Sequence, residues 1–465
     1  MAGIAVVVWL APAVRAAEPQ GGQDERDAPD VGLFLQATVY DSAAADEALR
    51  QIAAGWKDGY ASVLFDLVYL LRRTSLVDPR SWLVLSRLVD FLEQQTGQAF
   101  GLDFRSWQQW IWSQPYEPHP AYGEFKGLLY GRLDPRSEEF FQPPVRSAIR
   151  LDEVDWGGVG VNGIPPLDHP AHITAAEADY LEDDNVVFGF YFDGVARAYP
   201  KRILAWHEMA LDRVGSLDLT LVYCTLCGTV IPYDSRAGGI ARKFGTSGLL
   251  YQSNKLMFDE ETHSLWSSLE GVPVVGPLVG SGLRLSVLPV VTTSWGEWRT
   301  RHPDTTVLSL ETGFTRDYSE GAAYRGYFAT DNLMFPVSRQ DDRLRNKDEV
   351  LALRLGPATG PVQPVAISAE FLRDRRVYHL DASDRHLVVV TSAEGANRVY
   401  ESEMRRFEAG PEANRLVDGD GRTWIVGEDE LQAADGSGLR LPRVPAHRAF
   451  WFGWYAQHPD TLLID

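Results

Sequence analysis

Residues 280–285 read Gly-Ser-Gly-Leu-Arg-Leu, and residues 436–441 read the same six letters again. When the chain is aligned with itself at this offset of 156 residues, 13 of the 26 positions in the range 280–305 are identical without a gap. A match of this length at one fixed offset indicates a repeated structural unit. The sequence therefore predicts two tandem, diverged copies of one unit, over roughly 180–310 and 350–465.

The chain around these repeats has the composition of β-strands. The ranges 186–192 and 217–223 are runs of β-branched and aromatic residues, and Asp193-Gly194 is a turn signal between strands. From about residue 150 onward the sequence predicts mostly strands.

The N-terminal part has helical spacing instead. Val63, Leu64 and Leu67 lie on one face of a helix, and a second apolar stripe covers 82–92. The predicted fold class is therefore α+β, with a small N-terminal helical module followed by a β-rich region made of two tandem copies. A helical module without chemical groups is typical of docking, so we expect a protein partner to bind there.

These patterns divide the chain into six segments. They are a possible signal peptide (1–17), the helical module (31–114), a Pro-rich connector (115–150), the first β-rich copy with Cys-x-x-Cys (151–312), an inter-copy segment (313–349) and a second, degenerate β-rich copy (350–465).

Charge and hydropathy narrow the choice of partners and compartment. The 465 residues include 44 Lys and Arg against 64 Asp and Glu, a net charge of −20 that repels phosphate backbones and argues against nucleic acid. Residues 3–14 are apolar and precede Val14-Arg15-Ala16, which resembles a cleavage site. We therefore expect an exported protein, in a periplasm or at a cell surface, with no transmembrane anchor.

The chain has only two cysteines, Cys224 and Cys227, in the motif Cys-Thr-Leu-Cys-Gly. Two thiols three residues apart can bind a soft metal, form a disulfide, or pack as two small apolar side chains. Free paired thiols oxidise readily in an exported protein unless a metal holds them, which disfavours the third alternative.

His207 and Glu208 precede the cysteines on a predicted short helix. Packed against the cysteine strand, this helix would add the His207 imidazole to both sulfurs, giving three ligands for copper or, second, for zinc. Glu208 would then be a catalytic base beside the metal. A buried or capping role explains His207 equally well.

The predicted repeat separates structural residues from chemical ones. His302 and His458 occupy the same position in the two copies, so we expect them to build the shared fold. The Cys motif, in contrast, aligns with Ser392-Ala393-Glu394-Gly395, which has no thiol. Any active site is therefore predicted in the first copy alone.

Two other charged groups have a structural and a functional interpretation. Arg316 and Arg343 in the inter-copy segment could meet an acidic ligand under a lid, although Arg–Asp pairing between domains explains them slightly better. Lys255 and Asp259 could form a site pair, but a surface ion pair is the preferred interpretation.

Several strings of the chain together resemble the domain-of-unknown-function family 3179, a family of exported bacterial and archaeal proteins. The resemblance covers roughly 145–465 and implies no particular activity. The matching strings are Trp156-Gly157-Gly158-Val159, Gly163-Ile164-Pro165-Pro166-Leu167-Asp168, Ala196-Arg197-Ala198-Tyr199-Pro200, His207-Glu208-Met209, Tyr223-Cys224-Thr225-Leu226-Cys227-Gly228, Phe244-Gly245-Thr246-Ser247-Gly248, Ser264-Leu265-Trp266, Arg316-Asp317-Tyr318 and Phe335-Pro336-Val337.

The sequence thus leads to one main hypothesis and two alternatives. The main one is a copper or zinc site at Cys224, Cys227 and His207, in what would be a metalloenzyme with Glu208 as base. The first alternative is a thiol–disulfide pair, either redox active or structural. The second is a non-enzymatic binding or scaffold module. No motif identifies a small-molecule substrate.

Overall fold

The computed structural model describes residues 28–74, 79–356 and 362–465. The predicted signal peptide, 1–17, lies outside the described residues. Among those that are described, no helix is both long and apolar enough to cross a membrane.

The chain forms two compact units. The first contains the described part of 1–102 together with 116–122, and the second contains 103–115 and 123–465. Helix makes up 26% and strand 31% of the structure, with the helices concentrated at the N-terminal end, so the predicted α+β organisation is confirmed.

The first unit is helical. Its helices begin at good capping residues: the Asp30 and Asp41 side chains accept hydrogen bonds from the first turns of the helices that follow them. Their apolar faces bury Phe34, Ile52 and Leu64. The helices are α1 (Val31–Gln36), α2 (Ser42–Ala54), α3 (Ala61–Thr74) and α4 (Pro79–Thr96).

Two further helices precede the strands. Helix α5 (Phe104–Ser113) buries Trp107 and belongs to the second unit, although the sequence analysis placed it in the helical module. Helix α6 (Tyr122–Gly131) lies within the predicted Pro-rich connector. The Lys126 ammonium at its centre is buried and donates to the Val154 carbonyl at 2.9 Å, so this part of the connector is a packed element.

The first β-rich segment (151–312) is built from three main sheets. Their strand orders are β1-β11-β12-β13-β14, β15-β8-β7-β6-β2 and β16-β4-β5-β17-β3, and β9 and β10 form a small ribbon. The strands are β1 (Val154–Trp156), β2 (Leu167–Asp168), β3 (His172–Thr174), β4 (Val186–Phe192), β5 (Val195–Pro200), β6 (Met209–Val214), β7 (Leu217–Cys224), β8 (Thr229–Asp234), β9 (Arg236–Ala237), β10 (Ile240–Ala241), β11 (Phe244–Tyr251), β12 (Asn254–Asp259), β13 (Leu265–Ser267), β14 (Val272–Val275), β15 (Ser286–Val287), β16 (Val291–Ser294) and β17 (Thr306–Leu308), with helices α7 (Lys201–His207) and α8 (Trp295–Arg301).

The second β-rich segment (350–465) follows the connecting segment (313–349), which contains helix α9 (Arg325–Phe328). Its sheets have the orders β28-β18-β19-β29 and β20-β21-β22-β27-β26-β25-β24-β23. The strands are β18 (Glu349–Leu355), β19 (Gln363–Ser368), β20 (Val377–Ala382), β21 (Arg385–Thr391), β22 (Asn397–Glu401), β23 (Phe407–Ala409), β24 (Arg415–Asp418), β25 (Thr423–Val426), β26 (Glu430–Ala433), β27 (Arg440–Val444), β28 (His447–Phe450) and β29 (Leu462–Ile464), with helices α10 (Ala369–Arg373) and α11 (Trp451–Gln457).

One four-stranded arrangement occurs in both β-rich segments. The order β16-β4-β5-β17 corresponds to β28-β18-β19-β29, and in each the last pair is parallel while the other two are antiparallel. The helices that follow, α8 and α11, bury equivalent tryptophans. The Trp298 indole N–H donates to Thr305 Oγ1 at 2.9 Å, and that of Trp454 donates to Thr461 Oγ1 at 2.9 Å.

The two repeated histidines each lie against the opposite segment. His302 Nε2 is 3.5 Å from Glu428 Oε1, and His458 Nε2 is 2.9 Å from Glu270 Oε1. Each ring also packs on the tryptophan four residues before it. These contacts hold the two segments together and give both histidines a structural environment.

Candidate functional site

The Cys motif forms the turn between strands β7 and β8. Cys224 ends β7 and pairs with Thr229, the first residue of β8. Gly228 closes the turn with φ +60, a left-handed conformation that favours glycine. A Cβ at Gly228 would lie 3.0 Å from the Phe450 ring, so glycine also permits the second β-rich segment to pack closely here.

Both cysteines are buried thiols with no disulfide between them. Cys224 is 3% exposed and Cys227 is fully buried. Cys227 donates to the Ser253 carbonyl, with Sγ and O 3.3 Å apart. The Phe450 N–H donates to the Cys227 carbonyl at 2.7 Å, which fixes the turn against the second segment.

The surroundings shift the pKa values of the two thiols in opposite directions. Burial and the neighbouring Glu208 carboxylate act to raise the pKa of Cys224, but the adjacent Cys227 side chain and the backbone N–H groups of Lys255 and Cys227 outweigh them and lower that pKa. Burial and the neighbouring Cys224 raise the pKa of Cys227 well above its usual value. The two thiols therefore titrate as an interacting pair, in which the charge of one affects the other.

A buried carboxylate and ammonium lie next to this pair. Lys255 Nζ is 2.5 Å from the Glu208 carbonyl and 3.8 Å from Glu208 Oε2. Burial raises the pKa of Glu208, an effect that Lys255 and the hydroxyls of Tyr324 and Thr225 partly offset. Burial likewise lowers the pKa of Lys255 against the opposing effects of Glu208 and Cys224. Burial thus shifts the pKa of each group in the direction that favours its uncharged form.

The backbone conformation at Glu208 places its side chain near the cysteines. Helix α7 ends at His207, and Glu208 adopts φ +56, which reverses the chain into β6. The Tyr223 N–H donates to the Glu208 carbonyl at 2.8 Å. The carboxylate therefore sits beside the strand that carries Cys224.

The connecting segment covers the turn between the cysteines. Tyr327 Oη donates to the Leu226 carbonyl at 2.8 Å, and Tyr324 Oη donates to Glu208 Oε1 at 3.4 Å. Arg343, predicted either to meet an acidic ligand or to pair with an Asp between domains, pairs at 2.8 Å with Asp341 of its own segment. The segment thus closes over the site through its tyrosines.

His207 is directed away from the sulfurs. Its Nδ1 donates to the Pro165 carbonyl at 2.9 Å, and its Nε2 is 2.5 Å from Tyr318 Oη, which in turn is 2.6 Å from Thr312 Oγ1. Burial lowers the pKa of the imidazole, with the Pro165 carbonyl opposing and Arg316 adding to the effect. Both nitrogens of the neutral ring are therefore already used in hydrogen bonds.

The predicted three-ligand metal centre of Cys224, Cys227 and His207 is not assembled in this arrangement. Throughout 28–74, 79–356 and 362–465, no group of three His, Cys, Asp or Glu side chains is placed to hold a metal ion. The physical reason is the reversal at Glu208, which sends the histidine and the carboxylate of one dipeptide to different surroundings. Copper or zinc at the two sulfurs remains a prediction.

Lys255 is the residue whose role sequence reasoning missed. The preferred interpretation was a surface ion pair with Asp259, yet both residues are buried. Asp259 instead accepts from the Trp266 indole at 2.8 Å and lies 3.4 Å from Arg242. The available signal was a lysine inside β12, whose other residues are all buried.

Two other polar features of this unit serve the fold. Asp212 accepts from Arg197 at 2.8 Å and from Tyr199 at 2.6 Å, which ties β5 to β6. A cleft of about 1240 Å³ is lined by residues of both β-rich segments, including His302 and Glu428. The Glu428 carboxylate in this cleft forms salt bridges with Arg301 and Arg398. Neither cysteine lines the cleft.

Comparison with curated proteins found no match, and comparison with solved structures found none either. A family model described as "protein of unknown function (DUF3179)" matches residues 161–461, which contain the Cys turn, Glu208, Lys255 and the connecting segment. The chain therefore belongs to the DUF3179 family.

Proposed function

We propose that Cys224 and Cys227 form a redox-active dithiol, with Cys224 as the attacking thiolate and Cys227 as the resolving thiol. The observation that carries the proposal is the geometry of the β7–β8 turn: it holds two buried, unbridged thiols next to the buried Glu208 carboxylate and Lys255 ammonium. The lowered pKa of Cys224 supports its role as the attacking thiolate. An ionised thiol next to a protonated one is the arrangement that disulfide formation requires.

Oxidation removes two electrons and two protons from the pair. The bond formed is Cys224 Sγ–Cys227 Sγ, the two S–H bonds are lost, and an oxidant of the peroxide or disulfide class accepts both electrons. Glu208 and Lys255 are the groups that take up and return the protons, because their pKa values are shifted toward neutrality by burial.

Two inferences about the rest of the chain accompany this proposal. We infer that the β-rich segments descend from one duplicated unit, which the shared strand order and the paired Trp–Thr hydrogen bonds support. We also infer that the protein is exported, since disulfide chemistry suits an oxidising compartment. Docking of a protein partner on helices α1 to α4 is part of the same proposal.

The test is to equilibrate the full-length protein with graded ratios of reduced and oxidised dithiothreitol. The exchange is quenched with acid, the protein is denatured, free thiols are blocked with a maleimide, and the protein is weighed by mass spectrometry. Cys224 and Cys227 should convert together from two labels to none, with the circular dichroism spectrum unchanged. Two labelled thiols at every ratio in folded protein would refute the proposal, and Cys224→Ser and Cys227→Ser define the one-label standards.

Copper bound by the two thiolates is a second candidate. The specific observation in its favour is that Cys224 lies within electrostatic reach of the buried Lys255 ammonium, which would offset the negative charge of a dithiolate complex of copper(I). Zinc is less suited, because it takes four ligands in structural sites and three protein ligands in catalytic ones.

Metal analysis of tag-free protein separates the two candidates. One copper per chain that is lost in Cys224→Ser but retained in His207→Ala would support the two-sulfur copper site. Copper content that Cys224→Ser leaves unchanged would exclude it.

A further inference from the structure

A cleft of about 600 Å³ lies between the two β-rich segments. Strands β7 and β16 of the first segment contribute Tyr223 and Thr293 to its wall, and strand β28 of the second contributes Arg448 and Phe450. A volume of this size falls within the range of about 300–1,000 Å³ that is typical of small-molecule sites. Neither cysteine lines the cleft, so its ligand can be inferred independently of the dithiol function.

Two hydroxyls on the wall of this cleft are buried without a hydrogen-bond partner among the described residues. They are Tyr223 Oη and Thr293 Oγ1, on residues that are 1% and 5% exposed. The great majority of buried polar groups in proteins are hydrogen-bonded, because an unpaired one costs free energy. Two such groups on one wall indicate that a bound polar molecule completes their hydrogen bonding.

Part of the cleft has an excess of positive charge. Arg448 pairs with Glu349 at 2.8 Å, and Arg373, at the end of α10, lines the same cleft. Burial lowers the pKa of Arg448; Glu349 opposes this effect, and the neighbouring Arg373 adds to it. Two guanidinium groups thus share one carboxylate, so a second carboxylate, from a ligand, would balance their charge.

The Tyr223 hydroxyl is suited to the same carboxylate. Burial, followed by the neighbouring Cys224 and Glu349, raises the pKa of Tyr223 well above its usual value. The hydroxyl therefore keeps its proton and can donate it in a hydrogen bond to a negatively charged oxygen.

Negative charge is available in the same cleft. Asp184 and Glu394 line it, and neither carboxylate forms an ion pair within the described part of the chain. Both residues also line the larger cleft of about 1240 Å³, so the two clefts adjoin at this acidic side. A protonated amine would be stabilised by these two carboxylates.

We propose that this cleft binds a zwitterion of the α-amino-acid or short-peptide class. Arg373, Arg448 and Tyr223 hold its carboxylate, and Asp184 and Glu394 stabilise its ammonium group. The unpaired hydroxyls favour a polar ligand, and the presence of both signs of charge favours a ligand that carries both. A simple anion would leave the acidic side without a partner, and a simple amine would leave the guanidinium groups with theirs still shared.

The test measures the binding of trialanine to the full-length protein by isothermal titration calorimetry at low ionic strength. We expect saturable binding of one peptide per chain. N-acetyl-trialanine and trialanine amide should each bind at least about tenfold more weakly, because each has lost one of the two charges. Parallel titrations with alanine and dialanine distinguish a free amino acid from a peptide as the preferred ligand. No saturable binding of any of the three zwitterions, or equal binding of the blocked peptides, would overturn the proposal.

Matched variants separate the cleft from general effects on the fold. Tyr223→Phe removes only the unpaired hydroxyl, so it should weaken trialanine binding about tenfold without lowering the unfolding temperature. In Tyr400→Phe, the lost hydroxyl is buried, donates to the Gly427 carbonyl at 2.6 Å and does not line the cleft, so stability should fall and binding should not change. Arg373→Gln should weaken binding, whereas Arg375→Gln, at an exposed arginine that does not line the cleft, should not.

The outcomes are separate from those of the disulfide test. Equal losses of affinity in Tyr223→Phe and Tyr400→Phe would show a structural effect and would overturn the assigned carboxylate site. A protein that forms the Cys224–Cys227 disulfide but binds none of the zwitterions would overturn this inference alone.

Discussion

The Phe450 N–H donates a 2.7 Å hydrogen bond to the Cys227 carbonyl, so a residue of the second β-rich segment holds the turn that carries both thiols. Gly453, one turn further along α11, lies so close that a Cβ there would be 3.0 Å from Cys227 Sγ. The cysteine pair is therefore shaped by two parts of the chain that are more than 200 residues apart in sequence.

Gly453→Ala should disturb the cysteine pair through the contact between helix α11 and Cys227. The added methyl overpacks a filled site, and we expect the free energy of unfolding to fall by about 1–3 kcal/mol. Urea unfolding measures the loss, and the rate of Cys227 labelling reports the local shift. Gly419→Ala, where a Cβ meets nothing within 4 Å, is the control, and equal losses in both variants would contradict the packing argument.

Cys227→Ala should raise the pKa of Cys224. The substitution removes the neighbouring thiol, whose presence opposes the effect of burial on the pKa of Cys224. Ultraviolet absorbance of the thiolate, followed against pH, gives the ionisation midpoint. In the converse variant, Cys224→Ala, the pKa of Cys227 should fall below its value in the parent protein because one cause of its elevation is removed, while burial still keeps it above the ordinary thiol value. An unchanged Cys224 midpoint would show that the backbone N–H groups alone determine it.

Thr305→Val and Thr461→Val should destabilise the protein to a similar extent. Each removes the acceptor of a buried tryptophan N–H and leaves a polar group unpaired, at a cost of about 1–3 kcal/mol. Thermal and urea unfolding of the two variants provide the comparison. A large cost in one and none in the other would contradict the equivalence of the two sites.

Acid should destabilise the protein through Glu270. Burial acts to raise the pKa of this carboxyl, but Arg354, His458 and Arg284 outweigh it and hold that pKa far below the ordinary value. A lowered native pKa contributes stability that is present above the unfolded pKa, near 4.5, and is lost as the pH falls below it. Unfolding free energies should therefore decrease from about pH 5 to pH 3.

Glu270→Gln provides the matching variant. It should be less stable at neutral pH, by about 3–5 kcal/mol, because Arg354 stays buried without its carboxylate partner. Its stability should also change less between pH 5 and pH 3 than that of the parent protein. Glu408→Gln, at an exposed carboxylate, should retain the parent's acid sensitivity, and the same steep loss in Glu270→Gln would show that other groups cause it.

The sequence was informative about strands and about the cysteine turn, and less so about what surrounds the turn. The run 217–224 and Gly228 predicted a strand and a tight turn, because β-branched residues and a left-handed glycine act locally. His207 and Glu208 are neighbours in sequence, and no local rule shows that the backbone reverses between them. The reversal depends on the packing of α7 and β6, which is a tertiary effect.

Lys255 is a second residue whose surroundings could not be predicted from the sequence, because its strand is buried on both faces. In a strand with one face exposed, lysine marks the solvent side, but both faces of β12 are covered. Its neighbours are Glu208, which follows helix α7, and Cys224, at the end of β7; they lie 47 and 31 residues earlier in the chain. Burial of a strand on both sides is decided by the assembly of several sheets and leaves only a weak trace in sequence.

The close fit of Phe450 and Gly453 against the turn gives the second β-rich segment a use, although it has no cysteine of its own. Phe450 and Gly453 cover the sulfurs of the first segment. Cleavage of the chain within 313–349 followed by loss of the later part would uncover both thiols and expose them to cross-linking between molecules. Under the proposed dithiol function, the second segment therefore limits which molecules the two thiols can meet.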